Sequence, residues 1–150
     1  MRVVERMIEE LNRTWNGDAW YGPSLQPSLD GVTEEQARAH PIANGHSILE
    51  LVVHAAYWMD MTARRITETP PVEKDWRDVA ATSWKAARAE LERAYIALLD
   101  RVARMSDDDM NRVVSRKNYT TWVMLLGVIE HNAYHAGQIA LVKKMTTSDR

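Results

Sequence analysis

Apolar residues recur every three to four positions through four long segments of this 150-residue chain, and no strand-rich region interrupts them. That period commits most of the sequence to amphipathic helices. The first carries Val4, Met7, Ile8, Leu11 and Trp15, until Asn16-Gly17 and Gly22-Pro23 break it. Ser24 to Pro41 reads as short helical turns and loops, with Thr33-Glu34-Glu35-Gln36 as a capping box. A second long helix begins at Asn44-Gly45-His46-Ser47, capped by Ser47 or Asn44. Its stripe is Ile48, Leu51, Val52, Ala55, Met59, Thr62 and Ile66, and Pro70-Pro71 ends it.

A third helix is expected from near Asp75 to about Arg104, burying Val79, Trp84, Ala87, Leu91, Ala94, Leu98 and Val102. Ser106-Asp107-Asp108-Asp109 opens a short extra turn, and Arg112 to Asn118, without helical period, is expected to be extended. Thr120 or Thr121 caps the last helix, which runs to about Met145, and the polar tail Thr146 to Arg150 is expected to fray. The pattern predicts an all-α fold in one domain over 1–150. Its architecture is a four-helix bundle with short extra helical turns in the connections.

Composition narrows the function. The formal net charge of −2 gives no basic footprint for nucleic acid. No apolar run approaches the roughly 20 residues that span a membrane. The charged start Met1-Arg2-Val3-Val4-Glu5-Arg6 does not read as an export signal, so the expected location is cytoplasmic. Cysteine is absent, so any metal must be held by His, Asp, Glu or backbone oxygen.

His131 and His135 are four residues apart, on one helical face and roughly 6 Å apart along the axis. That spacing lets two imidazoles share one ion. On a helical wheel, Trp122, Leu125, Ile129, Ala133, Ala136 and Ala140 form one apolar stripe. Met124, Val128 and Val142 form a second, which holds the two histidines with Gln138 beside them. A bare imidazole pair would be poorly satisfied there; two core histidines bonded to backbone or to each other are the plainer alternative, and for a same-face pair the metal reading comes first. His54 lies on the flank of the second helix between Leu51 and Trp58, and His54-Ala55-Ala56-Tyr57-Trp58 faintly echoes His131-Asn132-Ala133-Tyr134-His135. His40 and His46 sit in loop or cap positions, where exposure is the ordinary outcome. His46, eight residues before His54, remains a candidate fourth group. Glu50, one turn before His54, is a candidate to orient a ligand or act as a base, although such carboxylates are more often solvated.

The chain resembles the DinB-like/YfiT-like superfamily of small bacterial four-helix bundles. The matching segments are Trp20-Tyr21-Gly22-Pro23-Ser24-Leu25, Gly31-Val32-Thr33-Glu34-Glu35-Gln36-Ala37, Ser47-Ile48-Leu49-Glu50-Leu51-Val52-Val53-His54 and Trp84. The most specific is Glu130-His131-Asn132-Ala133-Tyr134-His135-Ala136-Gly137-Gln138-Ile139. The resemblance implies a divalent metal on three histidines, which fall by position on His54, His131 and His135. It also implies a homodimer through helix faces. Asn132 departs from the Asp that relatives often carry there. The family includes metal-dependent thiol S-transferases, a mycothiol-dependent isomerase, and proteins described as metal-dependent hydrolases or as stress-inducible, so it constrains fold more tightly than reaction.

Three neutral imidazoles leave the ion's charge uncancelled and a coordination position open for water or thiolate. Zn or Ni is the first expectation, with Fe or Mn as alternatives, and a low-molecular-weight thiol is a candidate cofactor. The leading expectation is a hydrolase or thiol transferase. The alternative is a non-catalytic, stress-related protein in which the metal is structural or sensory. Trp20, His46, Tyr57, Trp58, Trp122, Tyr134 and Gln138 are candidate pocket residues. Tryptophans at helical spacing are more often core or interface.

Overall fold

A computed structural model describes residues 1–72 and 74–147. Four long helices dominate it: α1 (Val3–Asn16), α4 (Ile48–Arg65), α5 (Trp84–Ala103) and α6 (Thr121–Thr146). Two short helices, α2 (Leu25–Ser28) and α3 (Glu34–Arg38), interrupt the first connection, and a 3₁₀ turn (Asp107–Asn111) interrupts the last. α4 packs against α5 and α6, and α1 packs against the same two. The all-α bundle with short extra turns is therefore present. Its core runs through Met7 and Leu11, Val52 and Met59, Leu91 and Leu98, and Leu125 and Ile139. Truncating a fully buried leucine such as Leu91 to alanine typically costs about 2–5 kcal/mol, because the bundle cannot collapse onto the void.

The helix starts are set by side-chain caps. Thr33 and Gln36 form the expected capping box of α3. Ser47, not Asn44, caps α4: its hydroxyl accepts from the Glu50 N–H, while the Glu50 carboxylate accepts from the Ser47 N–H. Asn44 instead takes a left-handed turn at φ 59°. Thr120 caps α6.

Three boundaries differ from expectation. α4 stops at Arg65, before Pro70, and the chain turns through Thr67 and Glu68 N–H bonds to the Arg64 carbonyl. α5 starts at Trp84, nine residues after Asp75. The Asp75 carboxylate accepts from the Trp76 N–H, but the segment that follows is a loop. The helix begins where its first turn is pinned. Ser83 accepts from the Ala86 N–H, the Trp84 backbone N–H donates to Glu34, and the Trp84 indole N–H donates to the Val32 carbonyl. Val79 accordingly packs against the core from a loop. Arg112 to Asn118 forms a tight turn closed by a single antiparallel bridge, Val113 to Thr120, with Arg116 at φ 58°. α6 reaches Thr146, one residue beyond Met145; of the tail expected to fray, residues 148–150 lie outside the described residues.

The buried face of α6 lies between the two expected stripes. Leu125, Val128, Asn132, His135, Ile139 and Val142 are buried at alternating three- and four-residue spacing, a bundle seam. Trp122, Ala133 and Ala140 are only half-buried at its edge.

Candidate metal centre

α4 and α6 pack side by side, and this brings His54 to the pair on α6. His131 Nε2 lies 3.0 Å from His54 Nε2 and 3.0 Å from His135 Nε2. The three histidines form a group whose ligand atoms all lie within 4.8 Å of one another. His54 and His135 are buried and His131 is half-buried.

The outer ring nitrogens show which atoms are free to bind. His54 Nδ1 lies 3.3 Å from the Asp75 carbonyl, which can only accept, so Nδ1 carries the proton and Nε2 presents a lone pair. His135 Nδ1 is held in the same way by Gln138 Oε1 at 2.5 Å. His131 Nδ1 is buried without a partner. In the neutral cluster, His131 has at most one Nε2 proton to offer two facing lone pairs. One of the two 3.0 Å contacts is therefore unsatisfied without a cation. Zn–N bonds of about 2.0–2.1 Å at a tetrahedral angle put ligand nitrogens about 3.3 Å apart, so a slight opening of the cluster accommodates an ion. The donor set fits a divalent metal.

Electrostatics prepares the same state. Burial, reinforced by His135 and His54, pushes His131 down to about 4. Burial also lowers His54, against the opposing pull of Asp75, and lowers His135, against its bond to Gln138. All three are neutral at pH 7, as ligands must be.

A residue absent from the sequence reading completes the site. The Trp76 ring stacks on His54 at 3.8 Å and 7°, and on His46 at 3.6 Å and 4°. The loop before α5 thus supplies both the Asp75 carbonyl that fixes the His54 tautomer and the indole that fixes its plane. The spacing between Trp76 and His54 carries no helical period, so only the proximity of Asp75-Trp76 to a long loop could have signalled it.

The other expected residues divide by place. Trp58 meets both His54 and His131 edge-on, at 6.5 and 6.3 Å. Tyr134 meets His135 at 5.2 Å and is otherwise exposed. His46 reaches the cluster only through Trp76, outside the three-histidine group. Tyr57 packs edge-on against Trp58 and lines a surface cavity beside α5, with Asp60 and Arg77. Trp122 packs against the core, and Trp20 is fully exposed. Glu50 is occupied by its cap: Oε2 accepts from the Ser47 N–H at 2.7 Å and lies 2.9 Å from His40 Nε2. Burial acts to raise its pKa, but these hydrogen bonds outweigh burial and hold it below the usual carboxylate value, which makes it a weak base.

A cleft of about 380 Å³ opens beside the cluster between α4 and α6, with His131 in its wall. Trp58, Val123, Met124 and Val128 make most of it apolar, and Thr62, Arg65 and Tyr119 supply the polar groups. No described helix is long and apolar enough to cross a membrane.

Comparison with known proteins agrees with this architecture. A conserved protein from Enterococcus faecalis, known from its crystal structure, superposes with a TM-score of 0.73 over 97% of this chain and 97% of its own. Their identity is 17%, so that likeness speaks for the fold alone. No curated protein matches the sequence. The model of the DinB superfamily matches residues 23–139, from the loop before α2 to the turn of α6 beyond His135. The chain belongs to the DinB superfamily.

Proposed function

We propose that this protein is a metal-dependent enzyme, a hydrolase or thiol transferase, working at a divalent ion held by His54, His131 and His135. The observation that carries the reading is the convergence of three Nε2 atoms beside an apolar cleft, with no fourth protein ligand in the group among the described residues. Structural sites usually close with four protein ligands, whereas three with an adjoining cleft leave room for a reactant. A divalent ion bound there supplies Lewis acidity and lowers the pKa of a coordinated water or thiol.

The chain's own residues supply the remainder. Asp75 and Gln138 fix the tautomers of His54 and His135, so that Nε2 points inward. Trp76 and Trp58 wall the histidines and limit water, which strengthens electrostatic interactions in the cleft. Glu50, tied into the α4 cap, is not positioned as a proton carrier. Any proton taken from a reactant therefore leaves through solvent or the reactant itself.

Cobalt substitution tests the open position. Adding a small thiol to the Co²⁺-loaded protein should produce a thiolate-to-cobalt absorption band and shift the visible bands. If neither thiols nor small anions altered the spectrum, the ion would be closed off, and the structural or sensory reading would replace the enzymatic one.

A further inference from the structure

We infer that the cleft between α4 and α6 is built for a small amphipathic carboxylate, with Arg65 as the residue that recognises its charge. The inference rests on the metal-centre reading only in calling that molecule a substrate. Trp58, Thr62 and Arg65 follow one another at four- and three-residue spacing, so they line one face of α4. Arg65 lies two turns, about 10 Å along the axis, beyond Trp58. Helical side chains lean toward the N-terminus, and the Arg65 guanidinium accordingly sits over the Trp58 ring, 5.5 Å from its centroid.

Arg65 is half-buried and has no carboxylate within salt-bridge distance among the described residues, whereas its neighbour Arg64 pairs with Glu68. A second cavity, of about 510 Å³, also touches Arg65 and contains Glu68 and Asp109. Those carboxylates are taken by Arg64 and by Arg112, the latter at 2.9 Å. Arg65 therefore presents a guanidinium with no carboxylate partner to an apolar cleft that His131 also lines.

That arrangement selects a ligand. The guanidinium fork fits a planar oxyanion. Among the described residues it is the only arginine or lysine lining the cleft, so the side chains there match a single planar anionic group. Trp58, Met124 and Val128 offer an apolar surface for an aromatic or aliphatic body. A volume of about 380 Å³ is near the lower end for small-molecule sites. With its carboxylate on Arg65, such a molecule occupies the same cleft that His131 lines.

Isothermal titration with 1-naphthaleneacetate and its neutral amide, 1-naphthaleneacetamide, tests this on metal-loaded and chelator-treated protein. Wild type should bind the acetate about ten-fold tighter than the amide in both states. Arg65→Gln should abolish that preference with metal content and amide affinity unchanged, and Arg65→Lys should keep part of it. No acetate binding at millimolar concentration, or a preference that survives Arg65→Gln, would overturn the assignment. A preference lost on chelation yet kept in Arg65→Gln would show the carboxylate on the ion, sinking this inference while sparing the metal centre. An Arg65-dependent preference in a protein that takes up no metal would support the cleft assignment and remove the metal-centre reading.

Discussion

Replacing Trp76 by alanine separates the metal centre from the fold better than replacing a ligand does. The indole lies between two imidazoles, 3.8 Å from His54 and 3.6 Å from His46, nearly parallel to both. Each aromatic pair is worth about 0.5–1.5 kcal/mol beyond its buried area, so the two stacks together hold the sandwich with about 1–3 kcal/mol. If most of that energy orients His54 for an ion, its loss weakens metal binding by about 10–100-fold, the usual effect of removing a group that supports a ligand. The cost to the bundle is smaller, because Trp76 sits in a loop and is only half-buried. Competition against a chromophoric chelator reads the affinity, and urea denaturation of the metal-free protein reads the fold. Trp76→Ala should weaken zinc by at least ten-fold while moving the urea midpoint little, and Trp76→Phe should recover most of the affinity. An affinity within two-fold of wild type in Trp76→Ala would refute the idea that the stack positions His54.

Gln138→Leu removes the acceptor that fixes His135 and should also weaken zinc about ten-fold in the chelator competition, whereas unchanged affinity would make that bond incidental. The pH dependence of the metal-free protein follows from lowered histidine pKa values. The unfolded chain binds more protons below about 6.5, so stability present above that pH drains away as pH falls toward about 4, the folded value of His131. Urea midpoints should therefore fall more steeply across that window in wild type than in His131→Gln, and parallel curves would contradict the burial argument. The homodimer implied by the family resemblance predicts twice the chain mass in sedimentation velocity; a single monomeric species at micromolar concentration would remove that expectation.

Much of the site was legible because its ligands obey helical periodicity. His131 and His135 declare their common face by spacing, and His54 sits on a helix whose stripe is plain. Trp76 was not legible, since it reaches His54 through a loop whose path depends on where α5 begins. Asp75 resembles a helix start because Asp caps well, but it accepts only from the N–H of the next residue, Trp76. The true start is fixed by Ser83 and by bonds from Trp84 to residues some fifty positions away, which no local pattern reveals. The seam of α6 was hidden for a different reason. Asn132 occupies its middle with a buried, unpartnered Oδ1, while Val123, Leu141 and Met145 are exposed on other faces. Polarity inside and apolar groups outside erase the contrast that a helical wheel needs.

Metal content tests the central claim most directly. Protein purified without an affinity tag and equilibrated with zinc should carry about one ion per chain, as the one three-histidine group among the described residues requires. His54→Ala, His131→Ala and His135→Ala should each lose most of it, with helical content retained by circular dichroism. His40→Ala, which removes an exposed ring that contacts Glu50 rather than the cluster, should keep it. Full stoichiometry and unchanged affinity in His54→Ala would contradict a centre shared between α4 and α6.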